Sequence, residues 1–241
     1  MLTATVNPGG TPHVARIDQN VRLADYQCSI ARWVTLAAVS GWDILIIENS
    51  GHPEDSLLAG VPEEMYQQVQ PRVLSYVADP QYTKLGKGVG EAHMFDRVVT
   101  EYADDFTRYK MIVKVTGRLF VENAQKLLFI SPDINVIRCR IRADFTQVDS
   151  RFFACNPATW QNFVSNMAAE IREDSGYYLE HAMAFRVAKA MACGVRREPF
   201  PRPPRIVGIS GSTNVPYGGF RRLLVDSVGV TIARSRPGLF I

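Results

Sequence analysis

The chain has 241 residues, 46% of them hydrophobic and 21% charged, which is enough to bury a sizeable core without disulfides or structural metals. That composition excludes a largely disordered chain, and no run is long and apolar enough to span a membrane. The net charge of +3 is unevenly spread: residues 194–241 carry eight arginines against Glu198 and Asp226, a segment charge of +6 that leaves −3 for residues 1–193.

In chain order, residues 1–6 predict a short strand, closed by the turn Asn7-Pro8-Gly9-Gly10. Apolar residues at helical spacing (Tyr26, Ile30, Trp33, Val34, Ala37) predict a helix over 22–39, stopped at Gly41. The run 42–47 reads as a strand buried on both faces, followed by the polar Glu48-Asn49-Ser50-Gly51. A short helix over 63–69 and a strand over 73–77 come next. Residues 78–90 read as a polar, glycine-rich loop, and 91–102 as a helix with Ala92, Phe95, Val98 and Val99 on one face. Residues 111–115 predict a fourth strand ending in Thr116-Gly117-Arg118. Further strands are expected over 127–130 and 136–141, and helices over 157–171 and 178–193. The prolines of residues 199–204 exclude a helix there. Alternating strands and helices imply a mostly parallel α/β sheet with helices on both faces.

The cysteines Cys28, Cys139, Cys155 and Cys193 lack C-x-x-C spacing, so free thiols in a reducing compartment are expected. Cys28 and Cys193 read as small buried hydrophobes. No apolar run behind a basic start marks a secretory signal. The expected location is therefore the cytoplasm. Arg221, Arg222, Arg234 and Arg236, with Phe220, Leu223 and Leu224, would suit peripheral contact with the inner membrane face.

In such a sheet a ligand binds beyond the carboxyl ends of the strands. The polar and glycine-rich punctuation falls at those ends. Gly86-Lys87-Gly88-Val89-Gly90-Glu91 opens a helix, where free N–H groups and Lys87 favour a phosphate. Its spacing is neither a P-loop nor a dinucleotide fingerprint; the alternative is a surface loop capped by Glu91. Lys114 follows an apolar run and, if buried, needs a partner. Arg118 suits a phosphate or carboxylate. Asp149 is either a proton acceptor or one half of an ion pair with a neighbouring arginine. Glu180-His181 suits general-base or metal chemistry, or a structural role on its helix. His13, His52 and His93 have no ligand spacing.

The ordered set Arg22…Asp25-Tyr26…Ser29, Glu48-Asn49-Ser50-Gly51, Gly-Lys-Gly-Val-Gly-Glu at 86–91, Lys114-Val115-Thr116-Gly117-Arg118, Asp149-Ser150-Arg151-Phe152-Phe153, Leu179-Glu180-His181 and Gly208-Ile209-Ser210-Gly211 resembles bacterial and viral glycosyltransferase-like proteins of capsule and lipopolysaccharide synthesis. The resemblance spans roughly residues 20–212. It implies a GT-A-like fold, with a catalytic nucleotide-sugar domain over 1–193 and a helical, basic C-terminal extension over 194–241. It also implies a sugar transfer from a nucleotide-sugar donor to a glycan or lipid-linked acceptor. Asn7, Glu48, Asn49, Ser50, Lys87, Gly88, Gly90, Glu91, Lys114, Thr116, Gly117 and Arg118 would face the donor. Ser150 and Arg151 would lie on the acceptor side, and Asp149, Glu180 and His181 are the candidate bases. Many GT-A enzymes hold Mg²⁺ or Mn²⁺ through Asp-x-Asp at the central strand end. That motif is absent here, which leaves a divalent metal open and points to protein cations in its place. Another nucleotide-dependent transferase, or a non-catalytic glycan-binding module, is the alternative; nucleic acid is not an expected partner.

Overall fold

The computed structural model of the chain describes residues 1–128 and 135–218. The basic and apolar residues at 220–236 lie outside them, as do positions 129 and 130 of the strand expected over 127–130.

Strand β1 (Leu2–Ala4) leads into helix α1 (Gln19–Ser40). Asp18 caps α1 by accepting from the Val21 N–H, and Gly41 ends it at φ 65°. Its buried face holds Tyr26, Ile30, Trp33, Val34 and Ala37, as the spacing predicts, together with Arg22 and Ser29. Ser29 turns inward to donate to the Leu119 carbonyl at 2.9 Å. Its neighbour Cys28 is thereby turned out; Cys28 and Cys193 are exposed, not buried as expected, while Cys139 and Cys155 are buried.

Strand β2 (Leu45–Glu48), helices α2 (Glu54–Leu58) and α3 (Glu63–Val69) and strand β3 (Arg72–Ser75) follow. The expected loop over 78–90 is instead largely helical. It holds α4 (Pro80–Thr83), and α5 (Lys87–Glu101) begins at Lys87, so Gly88 and Gly90 lie in its first turn. Helix α6 (Ala103–Phe106), strand β4 (Ile112–Thr116) and strand β5 (Leu119–Val121) come next. Helix α7 (Ala124–Leu127) stands where the strand over 127–130 was expected to start. Its Ala124 and Leu127 share one buried side, a helical spacing that four apolar letters could not reveal.

Strands β6 (Val136–Arg138) and β7 (Phe152–Cys155) lead to α8 (Pro157–Thr159). The single helix expected over 157–171 is broken into α8, a π-helical turn at Trp160–Val164 and a 3-10 turn at Ala168–Glu170. The fully buried Trp160 ring stacks on Phe153 at 5.5 Å and meets Phe95 edge-on at 5.4 Å. Seating this ring outweighs regular helix geometry. A second 3-10 turn, Glu173–Ser175, precedes α9 (Leu179–Ala192), and the chain continues through β8 (Arg196–Glu198), β9 (Ile206–Ile209) and β10 (Pro216–Tyr217).

Seven strands form the central sheet in the order β3-β2-β1-β4-β7-β6-β8. The pairs β1–β2, β2–β3, β1–β4 and β6–β8 are parallel, and β7 runs against both β4 and β6. The fold is thus α/β, with a mostly parallel sheet. One face packs against α1, through Ile30, Val34, Leu2, Ile46 and Phe152. The other packs against α5 and α9, through Phe95, Val98, Ile47, Phe153 and Leu179. The described part of the C-terminal segment is strand rather than the expected helix. β8 joins the central sheet, and β9 and β10 form a small antiparallel sheet with β5.

Lys114 lies at 0% exposure in the middle of the sheet. Its ammonium pairs with Glu91 Oε1 at 2.5 Å and donates to Thr116 Oγ1 at 3.0 Å and the Ser150 carbonyl at 2.6 Å. Thr3 of β1 donates to the same Glu91 oxygen at 2.8 Å. Burial opposes the charge on Glu91, but Lys114 and the Thr3 hydroxyl outweigh it and hold the carboxyl below its ordinary range. This contribution to stability is present above the usual carboxylate pKa and lost as pH falls through the lowered folded value. Glu91→Gln, which strands the ammonium, should lower the unfolding free energy by about 3–5 kcal/mol in urea titrations. The double change Glu91→Leu with Lys114→Met should recover most of that loss.

Candidate functional site

A cavity of about 570 Å³ opens at the carboxyl ends of β1 and β4. Here the strand order reverses: the chain steps outward from β1 to β2 and β3, then returns to β4 on the other side of β1. Such a switch point leaves a crevice, because the connections leave the two strands in opposite directions. Thr3 and Thr5 line it from the β1 side, and Thr116 and Arg118 from the β4 side. The turn at 210–212, carried in by β9, lines it too.

Of the residues expected to face a donor, Lys87, Gly88, Glu91, Thr116 and Arg118 line this cavity, with Asp149, Ser150, Arg151 and Glu180. Asn7, Glu48, Asn49, Ser50, Gly90, Lys114, Gly117 and His181 are not among its lining residues. Glu48 is fully buried and accepts from the backbone N–H groups of Val6 at 3.0 Å, Ser50 at 3.0 Å and His52 at 2.8 Å. Asn49 accepts from Thr5 Oγ1 at 2.7 Å, and Ser50 Oγ from the Asn7 N–H at 3.0 Å. These four residues buckle the ends of β1 and β2 together behind the cavity. Gly117 lets β4 close on β1: an added Cβ would lie 2.7 Å from the Thr3 carbonyl oxygen.

Two arginines flank the ring of Tyr26, Arg22 at 5.9 Å and Arg118 at 5.7 Å from its centroid. Arg22, only 4% exposed, donates to the carbonyls of Thr5, Val6 and Arg16. Arg118 donates to the Ile209 carbonyl at 3.3 Å. Neither has a carboxylate within ion-pair distance among the described residues. Burial pushes the Arg22 pKa down; Tyr26 and the more distant Asp25 oppose that, and the neighbouring Arg118 adds to it. Gly211 is bare because the Arg118 guanidinium occupies its side-chain space, 2.5 Å from where a Cβ would stand. The next residue, Ser212, accepts a hydrogen bond from the Lys87 ammonium. The turn at 210–212 thus bridges the two cationic sides of the cavity.

The three candidate bases separate. Asp149 accepts from Arg151 Nε at 2.7 Å and Nη2 at 2.6 Å. Burial opposes its charge, yet Arg151 and Arg140 hold its carboxyl below the ordinary range, which makes it a weak proton acceptor. His181 accepts the Tyr178 N–H at 3.1 Å through Nδ1, meets Gln147 Nε2 at 3.0 Å through Nε2 and stacks on Tyr177. It caps α9 and turns away from the cavity. Glu180 lines the cavity, and its Oε1 accepts from Ser150 Oγ at 2.7 Å.

One site residue left no sequence signal. Glu173, 5% exposed, places its carboxylate at the N-terminus of α5 and accepts the Gly88 N–H at 2.5 Å. An added Cβ on Gly86 would lie 2.3 Å from its carboxyl carbon, and one on Gly88 would lie 2.6 Å from Oε1. The glycines therefore admit an internal carboxylate where the sequence pointed to a phosphate. Glu173 sits in a polar turn 85 residues from Gly88, with no periodicity or motif to connect them.

Of the cavity's carboxylates, Glu91 is paired with Lys114 and Asp149 with Arg151, and no three His, Cys, Asp or Glu side chains are grouped for a metal among the described residues. No helix among those residues is long and apolar enough to cross a membrane. Compared with known proteins, the chain matches no family model and no curated protein.

His181→Ala should lower thermal stability through loss of the α9 cap, by about 1 kcal/mol, and leave ligand affinity at the cavity unchanged. Calorimetry with and without ligand checks both; a large loss of affinity would return His181 to the site.

Proposed function

We propose that the chain is a glycosyltransferase of GT-A-like build that uses a nucleotide-sugar donor. The carrying observation is the pair Arg22 and Arg118, two like charges held against one tyrosine ring at a topological switch point, neither with a carboxylate within ion-pair distance among the described residues. Like charges this close repel each other, and a bound polyanion relieves that repulsion. Arg118 and Lys87 line the same cavity and are bridged by the turn at 210–212, which suits a diphosphate lying between them. The parallel order β3-β2-β1-β4 is the arrangement of a mononucleotide-binding half-sheet, which supports a nucleotide as the anion's carrier. The resemblance to capsule and lipopolysaccharide glycosyltransferases adds the sugar and the glycan or lipid-linked acceptor.

In this reading the donor diphosphate lies against Arg118, Arg22 and Lys87. Cleavage of the sugar–phosphate bond builds negative charge on the leaving diphosphate, and the preorganised cations stabilise it more than they stabilise the ground state. Glu180 takes the proton from the acceptor hydroxyl, with Ser150 fixing the orientation of its carboxylate. The proton leaves the acceptor oxygen as that oxygen bonds to the anomeric carbon, and the nucleoside diphosphate departs intact. No step requires a bound metal.

A thermal-shift screen of uridine, guanosine, cytidine and adenosine diphosphate sugars, with and without EDTA, should give a stabilising ligand whose effect survives EDTA. Arg118→Ala should abolish that shift while the free protein melts as before. Glu180→Gln should keep the shift and cut turnover by about 100-fold or more. Release of pyrophosphate in place of a nucleoside diphosphate would replace the glycosyltransferase reading with a nucleotidyltransferase.

A further inference from the structure

The N-terminus of α5 is an anion site by construction, since its first N–H groups have no helical partners and the helix dipole adds positive charge. Its occupant is the protein's own Glu173, and the seat is a poor one. Oε1 accepts the Gly88 N–H, but Oε2 is buried without a hydrogen-bond partner among the described residues. Lys87, which immediately precedes Gly88, gives its ammonium to Ser212 instead. Glu180 on α9 faces the same carboxyl with like charge, while Lys87 on α5 and His13 after β1 face it with opposite or titratable charge. An undersatisfied carboxylate beside a second carboxylate is an occupant that a better anion displaces.

We propose that Glu173 is a placeholder in a phosphate seat formed by residues 86–88, and that a diphosphate entering the cavity takes this seat as the Glu173 side chain swings out. The inference rests on the reading of the cavity as a diphosphate site and names how that site is gated. The bare α-carbons of Gly86 and Gly88 fit this use, because the space that admits a carboxylate admits a phosphate oxygen. The turn that carries Glu173 is closed by paired backbone bonds between Arg172 and Tyr177, at 2.8 and 2.9 Å, so the side chain can rotate without unravelling the backbone. Gating is linked to protons. Burial raises the Glu173 pKa; the Gly88 N–H, Lys87 and His13 oppose that, and Glu180 adds to it. Once protonated, the carboxyl neither repels the phosphate nor competes for the helix end. Affinity therefore falls as pH rises through its folded pKa, which is raised from the ordinary value of a glutamate.

The test is calorimetric titration of the full chain with inorganic pyrophosphate across the acid-to-neutral range, in wild type and Glu173→Gln. Comparison at each pH cancels the titration of pyrophosphate itself. Glu173→Gln should bind about tenfold tighter at neutral pH, and the difference should vanish in acid. Its melting temperature should not fall, because the change removes a buried charge, and this verifies folding. Equal affinity of the two proteins at neutral pH, or a difference that persists in acid, overturns the placeholder and leaves the diphosphate reading standing. Failure of both proteins to bind pyrophosphate at any pH overturns both.

Discussion

An ammonium at the centre of a sheet has no water to turn to, and everything around Lys114 answers that need. Glu91 reaches it from α5, Thr116 from its own strand, and the Ser150 carbonyl from the segment entering β7; Thr3 of β1 steadies the Glu91 carboxylate. One charge thereby ties together two parallel strands, the antiparallel neighbour and the helix that covers them. Its energetic balance is narrow, since desolvating both ions offsets most of their attraction. Its larger consequence is positional. With Glu91 pinned to β4, the N-terminus of α5 is held over the carboxyl ends of β1 and β4, at the place where the sheet leaves a crevice.

The crevice then acquires a polarity. Arg22 and Arg118 gather on Tyr26, while Glu173 and Glu180 face each other near Lys87 in the same cavity. The C-terminal segment takes part in this. β9 delivers the turn at 210–212, whose Gly211 makes room for Arg118 and whose Ser212 engages Lys87. A wall of the site and an edge of the sheet are thus built from chain that follows α9.

Much of the framework was legible in the sequence. The spacing of Tyr26, Ile30, Trp33, Val34 and Ala37 fixed the buried side of α1, and the apolar runs marked β2 and β4. The need of Lys114 for a partner was legible as a condition, because a lysine that follows an apolar run needs one if it is buried. Its partner was not, although Glu91 stood in the other motif at the cavity. The break in the helix expected over 157–171 escaped because it lies at residues 165–167, where Ser165 leaves helical geometry and Asn166 takes φ 59°, and the apolar spacing does not mark it. β7 escaped because Phe152 and Phe153 serve opposite faces of the sheet, which reads as a short apolar run of no clear period.

The sequence by itself determined which residues are obliged to find company: a buried lysine, arginines at strand ends, glycines where a helix begins. These obligations are local, arising from burial, charge and backbone freedom at single positions. Only the tertiary structure decided who meets whom. It gave Glu91 to Lys114, closed the α5 terminus with Glu173 from 85 residues away, turned His181 into a helix cap and left Glu180 facing the cavity. Such pairings depend on strand order and on how each helix rolls over the sheet, and packing across the whole chain sets both.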